Sequence, residues 1–205
     1  MLNSKGFDLW ANDYDKDVQL SEESNSYPFA GYKQVLGTIY QTIRENPGKR
    51  VLDIGFGTGV LTQKLYADGY EISGMDFSEQ MLSIAKTKMP GADLIRHDFS
   101  QGFPEYFQGR TFDFMVCTYA IHHLDTLQKT AFIRELTPHL SENGLLLMGD
   151  VAFRTERELS ECRAACGDSW DEDEIYMVEE TLKPLVPNLE YEKITFCSGV
   201  FTIRR

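Results

Sequence analysis

From residue 50 onward the chain repeats one unit: a short apolar run, a polar turn, then a segment with helical spacing. The apolar runs are Arg50 to Ile54, Glu71 to Met75, Ala92 to Arg96, Phe112 to Thr118 and Leu145 to Val151. Between them, Leu61 and Leu65 stand about one helical turn apart, and Ser78 is placed as an N-cap ahead of Met81, Leu82 and Ala85. A further helix, from about Leu127 to Leu140, is closed by the turn residues Glu142-Asn143-Gly144. Such alternation is the mark of a parallel sheet covered by helices on both faces, an α/β fold. In that architecture ligands bind at the carboxyl ends of the strands. The residues that follow strands one to four should therefore converge on one cleft.

Two regions lie outside the repeat. Residues 1–49 read as a helical, aromatic-rich cap containing Trp10, Tyr14, Tyr27, Phe29 and Tyr32. Residues 152–205 carry a helix near Arg154–Ala165 and the acidic stretch DSWDEDE, which leads into a second helix. Two strands, Leu189–Phe196 and Val200–Ile203, then pair as a terminal hairpin. One domain accounts for the whole, with residues 50–151 as its ligand-binding core.

The net charge of −12 repels phosphate backbones, so nucleic acid is not an expected partner. No apolar run approaches the ~20 residues that span a bilayer, and the first residues lack a signal-peptide pattern. A cytoplasmic location, without membrane association, is the expectation, as a monomer or homodimer. The four cysteines are too few and too scattered for a disulfide framework. Cys162 and Cys166 can share a helix face, but no nearby histidine or second pair supports a metal site, and none is expected.

The turn after the first strand is the most specific feature. In VLDIGFGTGVL, glycine occupies positions 55, 57 and 59 directly behind a buried strand. Glycine there lets a ligand approach backbone N–H groups at a helix N-terminus. A P-loop is excluded, because the turn ends Gly59-Val60-Leu61 rather than Gly-Lys-Ser/Thr. A dinucleotide site is disfavoured, because the third glycine comes one place early and Val60 stands where G-x-G-x-x-G needs a small residue. An S-adenosylmethionine (SAM) site is the third possibility, and Asp53 completes a D-x-G-x-G-x-G pattern with Gly55, Gly57 and Gly59.

With Asp76 in GMDFS, Asp98-Phe99 in RHDFS and the fourth-strand segment FDFMVCTYAIHHL, the chain resembles the class I SAM-dependent methyltransferase family over about residues 48–151. The segments Trp10-Ala11…Tyr14-Asp15, Phe29-Ala30-Gly31-Tyr32 and Tyr119 to Leu124 extend the likeness to the small YrrT-like methyltransferases, a group linked to methionine–cysteine recycling. The resemblance implies a Rossmann-like, doubly wound sheet of seven strands, mostly parallel, whose last strand is antiparallel. It also implies SAM as cofactor, S-adenosylhomocysteine (SAH) as product, and a small-molecule methyl acceptor.

SAM carries an ammonium, a carboxylate, a sulfonium, a ribose and an adenine, but no phosphate. Gly55, Gly57 and Gly59 would make room for its amino-acid arm, and Asp76 would accept from the ribose hydroxyls. Asp98 would take the adenine amino group, with Phe77 or Phe99 packed on the ring. Asp53 reads more as a brace for the loop than as a direct contact. Tyr119 lies beside the expected methyl position. His122 and His123 are candidate bases for a thiol or hydroxyl acceptor, with Asp150 and His97 behind them. Each has a structural alternative, such as a turn brace or a helix cap. Trp10, Tyr14 and Tyr27 are candidates for a lid over the cleft. The acidic run Asp168–Glu174 reads as a solvated loop and helix start, with attraction of a cationic acceptor as the alternative. A non-catalytic SAM- or SAH-binding module and a dinucleotide-dependent oxidoreductase remain the rival functions.

Overall fold

The alternation of apolar runs becomes one mixed sheet in the computed structural model, which describes residues 25–205. Its elements are α1 (Tyr32–Glu45), β1 (Arg50–Ile54), α2 (Val60–Ala67), β2 (Glu71–Asp76), α3 (Glu79–Lys88), β3 (Asp93–Arg96) and β4 (Phe112–Thr118). They are followed by α4 (Thr126–Leu136), β5 (Leu140–Phe153), α5 (Glu156–Cys166), β6 (Met177–Val178), α6 (Glu179–Leu182), β7 (Leu189–Lys193) and β8 (Ser198–Arg204). The order along the sheet is β3-β2-β1-β4-β5-β8-β7, with β6 paired to the end of β5. Strands β1 to β5 run parallel, whereas β8 runs antiparallel to both β5 and β7. The seven-stranded expectation holds along that path, and the two-residue β6 is an addition to it.

Alternate residues of each strand face opposite sides of the sheet, and both sides are buried. Leu52, Ile54, Met115, Leu146, Met148 and Phe201 belong to one core, which α4 covers through Phe132, Ile133 and Leu136. Val51, Phe114, Val116, Leu145 and Leu147 belong to the other, which α1, α2 and α3 cover. Helix α1 buries Val35, Leu36, Ile39, Tyr40 and Ile43, the one-sided spacing of an amphipathic helix. It seats on β5 at Gly149, where a Cβ would lie 2.5 Å from Val35 Cγ1 and 2.8 Å from Ile39 Cδ1. A side chain at 149 would force Val35 and Ile39 to shift. At the opposite edge from the cleft, Asp113 accepts from the Lys49 and Arg50 amides, from the Arg50 guanidinium and from Ser141. Burial alone would raise its pKa, but these donors hold it well below the usual carboxylate range.

Two local expectations are corrected. Helix α4 ends at Leu136 rather than near 140, and Leu140 already pairs with Phe112 in β5. The residues between Leu140 and Leu145 bulge outward, with Asn143 at φ 68°, so the Glu142-Asn143-Gly144 turn interrupts a strand instead of closing a helix. The acidic run does not start a long helix either. Residues 170–176 are irregular, and the helix after them has four residues.

Candidate active site

The sheet order reverses direction between β1 and β4, which opens a crevice at their carboxyl ends. A cleft of about 280 Å³ occupies it. Its walls come from different parts of the chain and are built differently.

The first wall is made by the turns after β1 and β2. Gly55 and Gly57 have φ of 69° and 55°, a region that residues with a Cβ adopt only under strain. A Cβ on Gly55 would lie 2.7 Å from Ala120, whereas one on Gly57 would meet nothing within 4 Å. Gly57 thus presents open backbone in a turn that lines the cleft. Asp76 ends β2 and is buried; it accepts from Gly57 N at 2.9 Å and from Ser78 N at 2.9 Å. It therefore ties the glycine turn to the start of α3, while Ser78 caps that helix by accepting from Met81 N. Phe77, Phe99 and Thr58 also line this wall, and Phe99 stacks on Phe132 at 5.7 Å.

Asp53 braces the turn, the first of the two roles weighed for it. Its Oδ2 accepts from the Thr62 hydroxyl, which braces the turn against α2. Its Oδ1 is buried in the same cleft-lining residue and has no hydrogen-bond partner. Burial pushes the carboxyl up to about 7, helped by the charge of Asp76 and opposed by Thr62. An orphaned buried acceptor costs about 1–3 kcal/mol, so it marks a place that a ligand donor would satisfy. The ammonium of SAM is a donor of that kind, and the open turn at Gly57 suits its amino-acid arm. The residues present fit the cofactor.

The second wall is assembled from β4, β5, residues 28–32 and the loop 171–174. Tyr119 follows β4 at φ 49°, and its ring meets Phe29 at 5.4 Å and Tyr32 at 4.9 Å. His122 is buried, with Nδ1–H donating to Asp150 Oδ1 at 2.8 Å and Nε2 lying 3.4 Å from Glu174 Oε1. Burial opposes protonation of its ring, yet the charges of Asp150 and Glu174 outweigh it and raise its pKa. Two carboxylates thus raise the affinity of the ring for a proton. His123 lines the cleft beside it and is pushed down to about 4, by burial first and by the His122 charge second. It stays neutral near pH 7 and is a weak base.

Several predicted residues lie elsewhere. Gly59 is at the cap of α2, donates to Phe56 O at 2.9 Å and stands outside the cleft wall. Asp98 is exposed, accepts from Ser100 N, and lines a groove that shares Phe77 with the cleft. His97 is bonded through Nε2 to Gly102 O at 2.9 Å. Tyr27 stacks on Trp170 at 5.0 Å and shares a hydroxyl contact with Tyr176, which places it behind the second wall. Trp10 and Tyr14 lie outside the described residues. Cys162 and Cys166 bring their Sγ atoms to 4.0 Å as free thiols.

Sequence reasoning did not single out Lys129, and it gave the run ending at Glu174 a cationic acceptor only as the alternative to a solvated loop. Lys129 is 1% exposed and donates to Leu124 O and Ile175 O. Burial lowers its pKa to about 8. A buried lysine leaves no mark in hydrophobic periodicity, so no pattern could have found it.

A methyltransferase domain model matches residues 51–144. An uncharacterized methyltransferase of Alkaliphilus oremlandii is 32% identical over 177 residues, covering 86% of this chain and 78% of the relative. The chain belongs to the SAM-dependent methyltransferase family. The fold agrees with that of magnesium protoporphyrin IX methyltransferase from Synechocystis PCC 6803 with bound SAH (TM-score 0.71, 21% identity, covering 99% of this chain and 95% of that one). It agrees likewise with an S-adenosylmethionine-dependent methyltransferase from Clostridium acetobutylicum (TM-score 0.69, 17% identity, covering 93% and 98%). The methyl donor of this methyltransferase family is SAM. No helix among the described residues is long and apolar enough to cross a membrane.

Proposed function

We propose that the chain transfers a methyl group from SAM to a small-molecule acceptor by in-line displacement. The observation that carries this reading is the joining of two dissimilar walls in one cleft. One offers open glycine backbone and an orphaned carboxylate; the other offers aromatic rings and a charged network.

On this reading Asp53 Oδ1 accepts from the SAM ammonium, and the turn at Gly55 and Gly57 follows its amino-acid arm. Asp76 takes the ribose hydroxyls while it holds the turn, Phe77 and Phe99 pack the adenine, and Asp98 reaches its amino group across the adjoining groove. Bound there, SAM supplies a methyl group already activated by a sulfonium leaving group. The chain's own contribution is to align the acceptor with that methyl and to exclude water, which can supply much of the barrier reduction. Tyr119, Phe29 and Tyr32 give the acceptor an apolar bed beside the methyl position. His122 orders the second wall, and His123 meets the acceptor as a neutral ring.

Thermal unfolding with added cofactors tests the donor half. SAM and SAH should raise the melting temperature while NAD(H) and NADP(H) leave it unchanged, because a ligand stabilises only the fold it binds. Stabilisation by the nicotinamide cofactors alone would overturn the reading. SAH release on a panel of thiols, amines and carboxylates separates a catalyst from a SAM-binding module, which would bind without turnover.

A further inference from the structure

The second wall is charged in a way that methyl transfer as such does not require. Asp171, Asp173 and Glu174 line the cleft together with Asp53 and Asp76, and no lysine or arginine lines it among the described residues. The buried His122 ring beside them is bonded from behind by Asp150. Glu174 is held in this wall through both carboxylate oxygens. Its Oε2 accepts from the Tyr176 hydroxyl at 2.6 Å, and its Oε1 faces His122 Nε2 at 3.4 Å.

The backbone beside Glu174 is pinned from both sides. Ile175 N donates to His122 O at 3.0 Å, and Ile175 O accepts from the buried Lys129 at 2.6 Å. Behind it, the Tyr27 hydroxyl contacts Tyr176 and accepts from Asp171 N at 3.0 Å, and Trp170 stacks on the Tyr27 ring. A loop read from sequence as solvated is therefore fixed over the cleft by a buried cation, two tyrosines and a tryptophan. Burial raises the Glu174 carboxyl and His122 opposes that rise, so the group is a stronger base than a solvent-exposed glutamate.

We propose that Glu174 binds the acceptor and that the acceptor is a small amine, presented as its ammonium. This inference rests on the proposed function. A second cation about 4 Å from the sulfonium would be repelled by about 4 kcal/mol at the effective dielectric of a protein surface, and a carboxylate wall offsets that repulsion. Anionic acceptors would be repelled by the same wall. The rings of Phe29, Tyr32 and Tyr119 are compatible with an ammonium through cation–π attraction. Asp53 Oδ1, a buried acceptor without a partner, lines the same cleft, so both of its walls carry carboxylates.

The step balances. The ammonium proton passes to the Glu174 carboxylate, and the freed nitrogen lone pair forms the N–C bond to the methyl group as the C–S bond breaks. The C–S electron pair stays on sulfur, leaving the neutral thioether of SAH, and the methylated nitrogen carries the positive charge.

The test uses two matched probe sets, each with one scaffold bearing an ammonium, a hydroxyl or a carboxylate: phenethylamine, phenethyl alcohol and hydrocinnamate, and butylamine, butanol and butyrate. Binding of each to the SAH-saturated chain is measured by thermal shift and calorimetry, for the wild type and for Glu174→Gln. At least one amine should bind about tenfold tighter than its alcohol and carboxylate partners, and the preference should fall below about threefold in Glu174→Gln. The SAH shift itself, retained in the variant, reports that the fold and the donor site are intact. If neither amine outcompetes its neutral partner while SAH still binds, the acceptor assignment is overturned and the proposed function stands. If SAH does not bind the wild type, the proposed function falls with it. If Glu174→Gln weakens SAM but not SAH and the amine preference persists, the wall faces the donor's sulfonium, which also overturns the assignment.

Discussion

The two walls of the cleft solve different problems with different parts. The wall proposed for SAM is built around backbone: a turn after β1 tied to the end of β2 by Asp76, within residues 53–78, with Phe99 added from the turn after β3. The opposite wall is mostly side chain, drawn from residues 28–32, 118–123 and 171–174 and locked by Asp150, His122, Lys129 and Tyr176. A backbone cradle is specified by local conformation and can be built from one β-turn-α unit. A charged wall is specified by which distant groups the fold brings within a few ångströms of one another. Damage to the first should therefore appear in SAM affinity, and damage to the second in stability and acceptor choice.

The largest expected effect separates them most sharply. Asp150→Asn removes the charge that His122 is paired with in a fully buried position, and breaking such a pair costs about 3–5 kcal/mol. Urea unfolding should show that loss while SAM affinity changes less than about threefold. A loss of SAM affinity beyond about tenfold would mean that the walls are coupled and that the division is mistaken.

Next comes Asp76→Ala. It removes the brace on Gly57 N together with the acceptor proposed for the ribose, and two charged hydrogen bonds of about 1.5–3 kcal/mol each predict a SAM dissociation constant raised by at least about 100-fold. Calorimetry checks this, and an unchanged constant would remove the ribose assignment. The amine preference tested through Glu174 should survive in the fraction saturated with SAH.

The smallest effect is a pH dependence confined to the SAM side. The Asp53 carboxyl lies near 7 in the folded chain because burial disfavours its charge. An ammonium ligand needs the ionised form, so SAM affinity should fall as the pH drops through that value, by about tenfold between pH 8 and pH 6. Asp53→Asn should flatten this profile. A wild-type profile already flat over that range would show that Oδ1 does not meet the ammonium.

The same division separates the features legible in the sequence from those that were not. The strand-helix units, the terminal hairpin and the N-cap at Ser78 were legible because each depends on neighbours within one or two turns of chain. Asp76 was legible as a group beside the glycine turn because β2 pairs with β1 in register, Met75 opposite Ile54. Gly59 was misplaced by the same logic. Its spacing is right for the motif, but its role is spent on starting α2.

The acidic run misled for a different reason. Composition marks it as solvated, and only the backbone ties of Ile175 to His122 and Lys129 turn it inward. The chemistry of His122 shifted with it. A histidine after the fourth strand reads from sequence as a base or a brace, and only the fold shows it set between Asp150 and Glu174, whose charges raise its pKa.

Sequence alone determined the parallel core, the position of the cleft and the glycine turn of its first wall, because hydrophobic period and glycine backbone freedom act locally. Tertiary structure decided which charges meet. The opposing wall depends on Asp150 and Glu174 meeting one buried ring and on Lys129 reaching the Leu124 and Ile175 carbonyls, and electrostatic energy depends on distances that no local pattern encodes.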